Sequence, residues 1–183
     1  MISHTKDLFN LYVHMYPHER VNLGLLEGQM QEQENIFSRK NFRGHVTASG
    51  LVVLNNSVLL IFHNFLKKFL QPGGHIEDDK TLIASAAREV YEETGVNTSP
   101  HLLTFCDGIS IPIFINSHHI PRNDNKGEPE HLHHDFIFLF TTEKDTISLD
   151  TEEVASYKWV GLDNEFEEGA LKIAIDKFRR LSK

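Results

Sequence analysis

Three glutamates crowd into the run Arg88-Glu89-Val90-Tyr91-Glu92-Glu93-Thr94-Gly95. A helix turns by about 100° per residue, so Glu89, Glu92 and Glu93, at i, i+3 and i+4, share one arc. Like charges so placed repel each other, and a cation lodged among them removes the penalty. An all-oxygen ligand set suits hard ions, Mg2+ or Mn2+. Three glutamates alone also fit a solvated acidic face. Just upstream, Gln71-Pro72-Gly73-Gly74 is a tight turn that brings backbone amides and carbonyls to the same neighbourhood.

A second constellation is rich in imidazole. His118, His119, His131, His133 and His134 fall within seventeen residues. If a strand begins near His131, then His131, His133 and Asp135 alternate onto one face. A His-x-His-x-Asp strand has the character of a transition-metal site. It also fits a substrate contact, through phosphate or base recognition, or a polar loop mouth with scattered histidines. His75, just after the glycines, is expected to point towards the same cleft. Glu128 and Glu130 flank the histidine loop, and Arg39, Lys40 and Arg43 form a basic loop that could meet a phosphate.

The spacing of the first constellation resembles the Nudix box, G-x5-E-x7-R-E-U-x-E-E-x-G-U, where U is a bulky aliphatic residue. Gly74, Arg88, Glu89, Val90, Glu92, Glu93, Gly95 and Val96 are in register, and Lys80 stands where the first box glutamate belongs. Glu77, Asp78 and Asp79 are the acids that could partly replace it. The flanks FSRKNFRGHVTAS, LQPGGH, SHHIP and EPEHLHHDFIFLF resemble a bacterial subgroup of Nudix proteins of undefined substrate.

The resemblance implies an α/β fold, the Nudix α/β/α sandwich with a mixed sheet, preceded here by a helical extension over residues 1–43. It implies a metal site built from Glu89, Glu92 and Glu93, with the backbone of Gly73 contributing, and an Arg88 that orients a carboxylate. It implies hydrolysis of a phosphoanhydride in a nucleoside diphosphate linked to another group. The general base is Glu89 or a loop glutamate, for which Glu130 is the candidate. His75, His131, His133, Asp135 and Arg43 are the candidate substrate contacts. The main alternative is a nucleotide-binding module or sensor that has lost catalysis, for which Lys80 speaks. Others are an isomerase on the same scaffold and an RNA-decapping enzyme.

Local patterns define the elements that must position these groups. Leu8, Leu11, Tyr12 and Met15 make one helical face, ended at Pro17. A second helix carries Leu23, Leu26 and Met30. This helical pair reads as a packing element or homodimer contact, with a substrate lid as its alternative use. Val46–Leu54 and Val58–Phe62 flank Asn55-Asn56-Ser57 as a β-hairpin, and Phe65–Leu70 is an extended piece. The box helix spans Thr81–Thr94, with Asp78 and Asp79 placed to cap it and Gly95 to end it. Extended segments follow at His101–Phe105, Ile109–Ile115, Asp135–Thr142 and Tyr157–Val160, with a loop over Pro121–Pro129. Leu171, Ala174, Phe178 and Leu181 line a final helix, with Lys172, Lys177, Arg179 and Arg180 on its polar side.

The chain has 183 residues and a formal net charge of -8. That balance disfavours grip on a long nucleic acid, which needs clustered basic residues, and it favours a small phosphorylated nucleotide-like substrate masked by metal ions. The single cysteine, Cys106, excludes an internal disulfide and reads as a small buried apolar residue. The N-terminus shows no signal-peptide pattern and no apolar run is long enough for a bilayer, so the expected location is cytoplasmic.

Overall fold

The computed structural model describes residues 1–183 apart from Asp107, Asn125 and the side chain of Cys106. The expectation for Cys106 therefore lies outside the described residues. In chain order the elements are α1 (Ile2–Met15), a 3-10 turn (Pro17–Leu23), α2 (Gly24–Gln31), β1 (His45–Leu54), β2 (Ser57–His63), β3 (Lys68–Leu70), β4 (Gly73–His75) and α3 (Leu82–Thr94). After them come β5 (Ser99–Pro100), a 3-10 turn (Leu102–Thr104), β6 (Phe105–Cys106), β7 (Ile109–Ser110), β8 (Phe114–Ile120), β9 (His131–Thr141), β10 (Val154–Gly161) and α4 (Ala170–Leu181).

The main sheet is mixed, and the whole is an α/β/α sandwich. Its central path runs β10-β2-β1-β9-β5, with β3 on β2, β4 on β1 and β8 on β9. The parallel pair is β1 with β9, from His45 opposite His133 to Val53 opposite Thr141. Both strands are buried on both faces for most of their length, which accounts for their near-continuous apolar runs. The β1–β2 hairpin closes through Asn55 and Asn56 at φ 45° and 63°, the left-handed pair that a two-residue turn requires.

The box helix is held at both ends. The Thr81 hydroxyl accepts from the Ala84 amide at 3.3 Å, so Thr81 is the N-cap and the expected caps Asp78 and Asp79 are not. Asp79 instead reaches Arg88. At the other end Gly95 takes φ 69° and its amide donates to the Tyr91 carbonyl, the usual glycine stop.

Other expectations shift by a residue or a face. In α1 the buried set is Thr5, Leu8, Phe9 and Tyr12, while Met15 is 49% exposed; the apolar stripe is rotated towards Phe9. His101–Phe105 begins as a 3-10 turn because the His101 ring accepts from the Leu103 amide. The expected strand Ile109–Ile115 is broken, and β8 starts at Phe114, beyond Pro112, which has no amide for a ladder. In α4, Lys177 is buried, not solvated. Its ammonium lies 2.8 Å from both the Glu19 carboxylate and the Tyr12 hydroxyl and 3.6 Å from the Tyr16 ring centroid. A buried cation is tolerated only when paired, and this one ties the first helices to the last. Leu8, Phe9, Tyr12, Leu23, Leu26 and Met30 share one core with the sheet.

Candidate active site

The carboxylates sit where α3 crosses the β4–β1 edge. Gly74 pairs with Ala48 of β1, and a Cβ at Gly74 would lie 2.6 Å from the Glu89 carboxylate. The absent side chain thus makes the space that Glu89 fills. The Gly73 amide donates to Glu93 Oε2 at 2.9 Å. Arg88 spans the site: its Nε donates to Asp79 at 2.9 Å, and its Nη1 to Glu89 at 3.0 Å and Glu92 at 2.7 Å. Its Nη2 donates to the His75 carbonyl at 2.9 Å.

Burial sets the electrostatics. Loss of solvent pushes the Glu89 carboxyl up to about 7, against the pull of Arg88. The same effect pushes Glu93 up to about 8, opposed by the Gly73 amide and reinforced by Glu89. Glu92 is different, with its side chain 52% exposed. Two largely buried carboxyls that resist ionisation beside an exposed third fit a hard divalent ion: such an ion supplies the charge that water no longer does. Lys80 is exposed. The carboxylate that meets Arg88 from this segment is Asp79.

The structure divides the candidate substrate residues. Successive strand residues face opposite ways, so in β4 Gly74 faces α3 and His75 faces away from it. On that far face the His75 ring stacks 5.1 Å from His45 and meets His133 edge-on at 5.1 Å. The His131 and His133 rings join them, 4.9 and 4.6 Å from His45. The expected single cleft is therefore two surfaces, one on each side of β4. Burial lowers the His75 imidazole to about 3, with Arg39 and His45 adding to it. Asp135 is buried, and its oxygens accept from Ser49 at 2.7 and 2.8 Å, from Thr47 at 3.1 Å and from Gln71 at 3.3 Å.

The remaining candidates are engaged at the surface. Arg43 pairs with Glu32 and Glu34, and Arg39 with Glu128 at 3.1 Å. Glu130 is 68% exposed and lies 3.3 Å from His119. Sequence reading missed Glu153 and Lys126, which pair at 3.8 Å. Glu153 is near enough to raise Glu89 and Glu93, and Lys126 near enough to lower His75. An exposed pair of opposite charges carries no sequence signal of this. Sequence reading also missed His45, whose place beside His131 and His133 comes from the parallel β1–β9 pairing. A separate cavity of about 1150 Å3, lined by Asn55, His101, Asp163 and Arg179, is at the other end of β1 and contains none of these groups.

An acidic helix packed on a mixed sheet by a glycine turn defines an α/β/α sandwich with a clustered carboxylate site. The NUDIX domain model matches residues 44–180, and the chain belongs to that family. A relative in Lactococcus lactis subsp. cremoris (strain MG1363), named "Probable DHNTP pyrophosphohydrolase", is 32% identical over 57% of this chain and 58% of its own length. "Phosphatase NudJ" of Escherichia coli (strain K12) is 41% identical over 32% of this chain and 40% of its own. The chain spans about half the length of these curated relatives. A crystal structure of a NUDIX-family hydrolase from Clostridium perfringens is 25% identical and has a TM-score of 0.56, covering 75% of this chain and 96% of that one.

Proposed function

We propose that the protein hydrolyses a phosphoanhydride bond in a nucleoside diphosphate linked to another group, using Mg2+ or Mn2+ held by Glu89, Glu92 and Glu93 with the backbone of Gly73. The observation that carries this reading is the raised pair of buried carboxyls, Glu89 near 7 and Glu93 near 8, packed on a glycine turn. Leaving them charged is costly unless a cation joins them. The names of the two relatives, a pyrophosphohydrolase and a phosphatase, agree with it.

Bound there, a divalent ion would mask phosphate charge and lower the pKa of a water ligand. The protein's own groups do the rest. Glu89, or a second glutamate from a loop, is the candidate to accept a proton from the attacking water. Arg88 fixes Glu89 and Glu92 with one nitrogen and is itself held by Asp79 and the His75 carbonyl. Glu130, on the histidine loop, is the second base candidate. Of the other candidate contacts, His75, His131, His133 and Asp135 line the opposite face of β4, with Asp135 held by Ser49 and Thr47, and Arg43 is paired with Glu32 and Glu34. Residues 1–43 form an extension whose apolar face packs on the 44–183 domain, and a homodimer would have to use its outer side. In this reading the substrate is small and the protein works in the cytoplasm.

A panel of dinucleotides, nucleotide sugars, nucleoside triphosphates and coenzyme A derivatives, each with Mg2+ and Mn2+, tests the reading. The expected result is turnover of one class, lost by about a thousandfold in Glu92→Gln, or roughly 4 kcal/mol of barrier. No turnover of any class, with nucleotide binding retained, would establish the binding-module alternative.

A further inference from the structure

We propose that His45, His131 and His133 form a second metal site, for a Zn2+-like transition ion, on the face of β4 opposite the box. Each of the three offers a ligand nitrogen, and these atoms lie within 4.8 Å of one another. Three imidazoles around one ion need bonds of about 2.0–2.1 Å, which in a tetrahedral arrangement place neighbouring nitrogens a little over 3 Å apart, so the widest pair has to close by no more than about 1.5 Å. His131 Nε2 and His133 Nε2 are already 3.2 Å apart.

The rings are oriented for the task by groups behind them. His131 Nδ1 is 2.7 Å from the Pro129 carbonyl, and His45 Nδ1 is 3.2 Å from the Asn41 carbonyl. A carbonyl only accepts, so each Nδ1 carries the proton and each Nε2 presents its lone pair. Backbone carbonyls of this kind fix the tautomer in metal-bound histidines. His45 Nε2 is buried without any hydrogen-bond partner, and the residue is 1% exposed. A buried ring nitrogen left without a partner beside two other imidazoles is costly, and a metal ion would satisfy it.

A neighbour shows the contrast. His134, the next residue on β9, uses both ring nitrogens, towards Ser117 Oγ at 2.7 Å and Gln29 Oε1 at 2.8 Å. It is a structural histidine with nothing left to give. Nitrogen ligands select a different ion from the carboxylates of the box. Three protein ligands leave a fourth position, which water or a substrate oxygen can take.

The test is Zn2+ binding to the full-length, untagged protein, by competition with a chromogenic chelator in millimolar Mg2+. The expected result is one tight equivalent of Zn2+, with affinity reduced more than about a hundredfold in both His131→Ala and His133→Gln, beyond the 10–100-fold typical of outer-shell changes. Glu92→Gln, which alters the box, should leave it in place. Co2+ added to the wild-type protein should give the intense visible absorption of a tetrahedral nitrogen-rich site, a readout that no variant's folding can confuse. Absence of that absorption, or Zn2+ binding that survives both histidine changes or disappears with Glu92→Gln, would overturn the proposal.

Discussion

The two faces of β4 carry opposite solutions to the problem of burying polar chemistry. On the α3 side, burial raises Glu89 and Glu93 towards neutrality, with Arg88 answering part of the Glu89 charge and the Gly73 amide part of the Glu93 charge. On the other side, burial lowers His75, His45 and His133, and no carboxylate salt bridge answers the rings of His45, His75 or His133 among the described residues. One face therefore wants hard cations and the other offers neutral nitrogen. The backbone of one strand separates them: Gly74 makes room for Glu89 while His75 joins the ring cluster. Function can be divided between two surfaces that are neighbours in space, because alternation along a strand assigns consecutive residues to different chemistry.

The sharpest break of this comparison is Gly74→Ala. The new Cβ meets the far end of the Glu89 side chain at 2.6 Å, so the fold survives and the carboxylate moves. A displacement near 1 Å at a catalytic group costs up to about a hundredfold. We expect kcat to fall by that order while the histidine face keeps its ring packing, checked by steady-state rates and by histidine NMR shifts.

Arg88→Lys is next. Lysine keeps the charge but cannot contact Asp79, Glu89, Glu92 and the His75 carbonyl together. A loss of about tenfold in kcat/KM is expected, equal to ~1.4 kcal/mol. If Arg88 only screens charge, the lysine variant will match the wild type in the same assay.

The faces also differ in pH response. Glu89 and Glu93 have folded pKa values above the ordinary 4.5, near 7 and 8. Between 4.5 and about 8 the folded state therefore holds more protons than the unfolded one, and metal-free stability falls as pH rises through that window. Mg2+ competes with those protons, so its affinity should rise over the same range and its addition should restore Tm at the alkaline end. Thermal melts with and without Mg2+ check both signs. The lowered histidines act the other way: metal-free, they favour the folded state above pH 6.5, their ordinary value, and cost stability as pH falls below it.

The smallest expected effect belongs to Lys80→Glu. The position is exposed and Asp79 already reaches Arg88. An exposed charge changes energies by no more than about 1 kcal/mol, so Mg2+ affinity should improve by no more than about fivefold. A larger gain, measured by Mg2+ titration of activity, would mean that the first box position acts directly on the metal.

Much of the site was legible in the sequence. Arg88, Glu89, Glu92, Glu93 and the two glycines lie within one short segment, and a helix brings i, i+3 and i+4 together without help from the rest of the chain. The Asn55-Asn56 hairpin and the Gly95 stop are equally local, because they rest on backbone conformations that those residues favour. The burial of Lys177 against Glu19 was not legible. Its position on α4 reads as polar, and its partner is 158 residues away. The same reason hid the pairing of Lys126 with Glu153.

The sequence by itself determined the box: its residues, their order, their shared helical face and the family they belong to. Tertiary structure decided what the box faces. Only the parallel pairing of β1 with β9 brings His45 to His133, and only the seating of β4 on β1 puts Gly74 under Glu89 and His75 on the far side. Local spacing fixes which side chains share a face of one element. Which elements meet depends on non-local pairing, and that is set by the burial of the whole core.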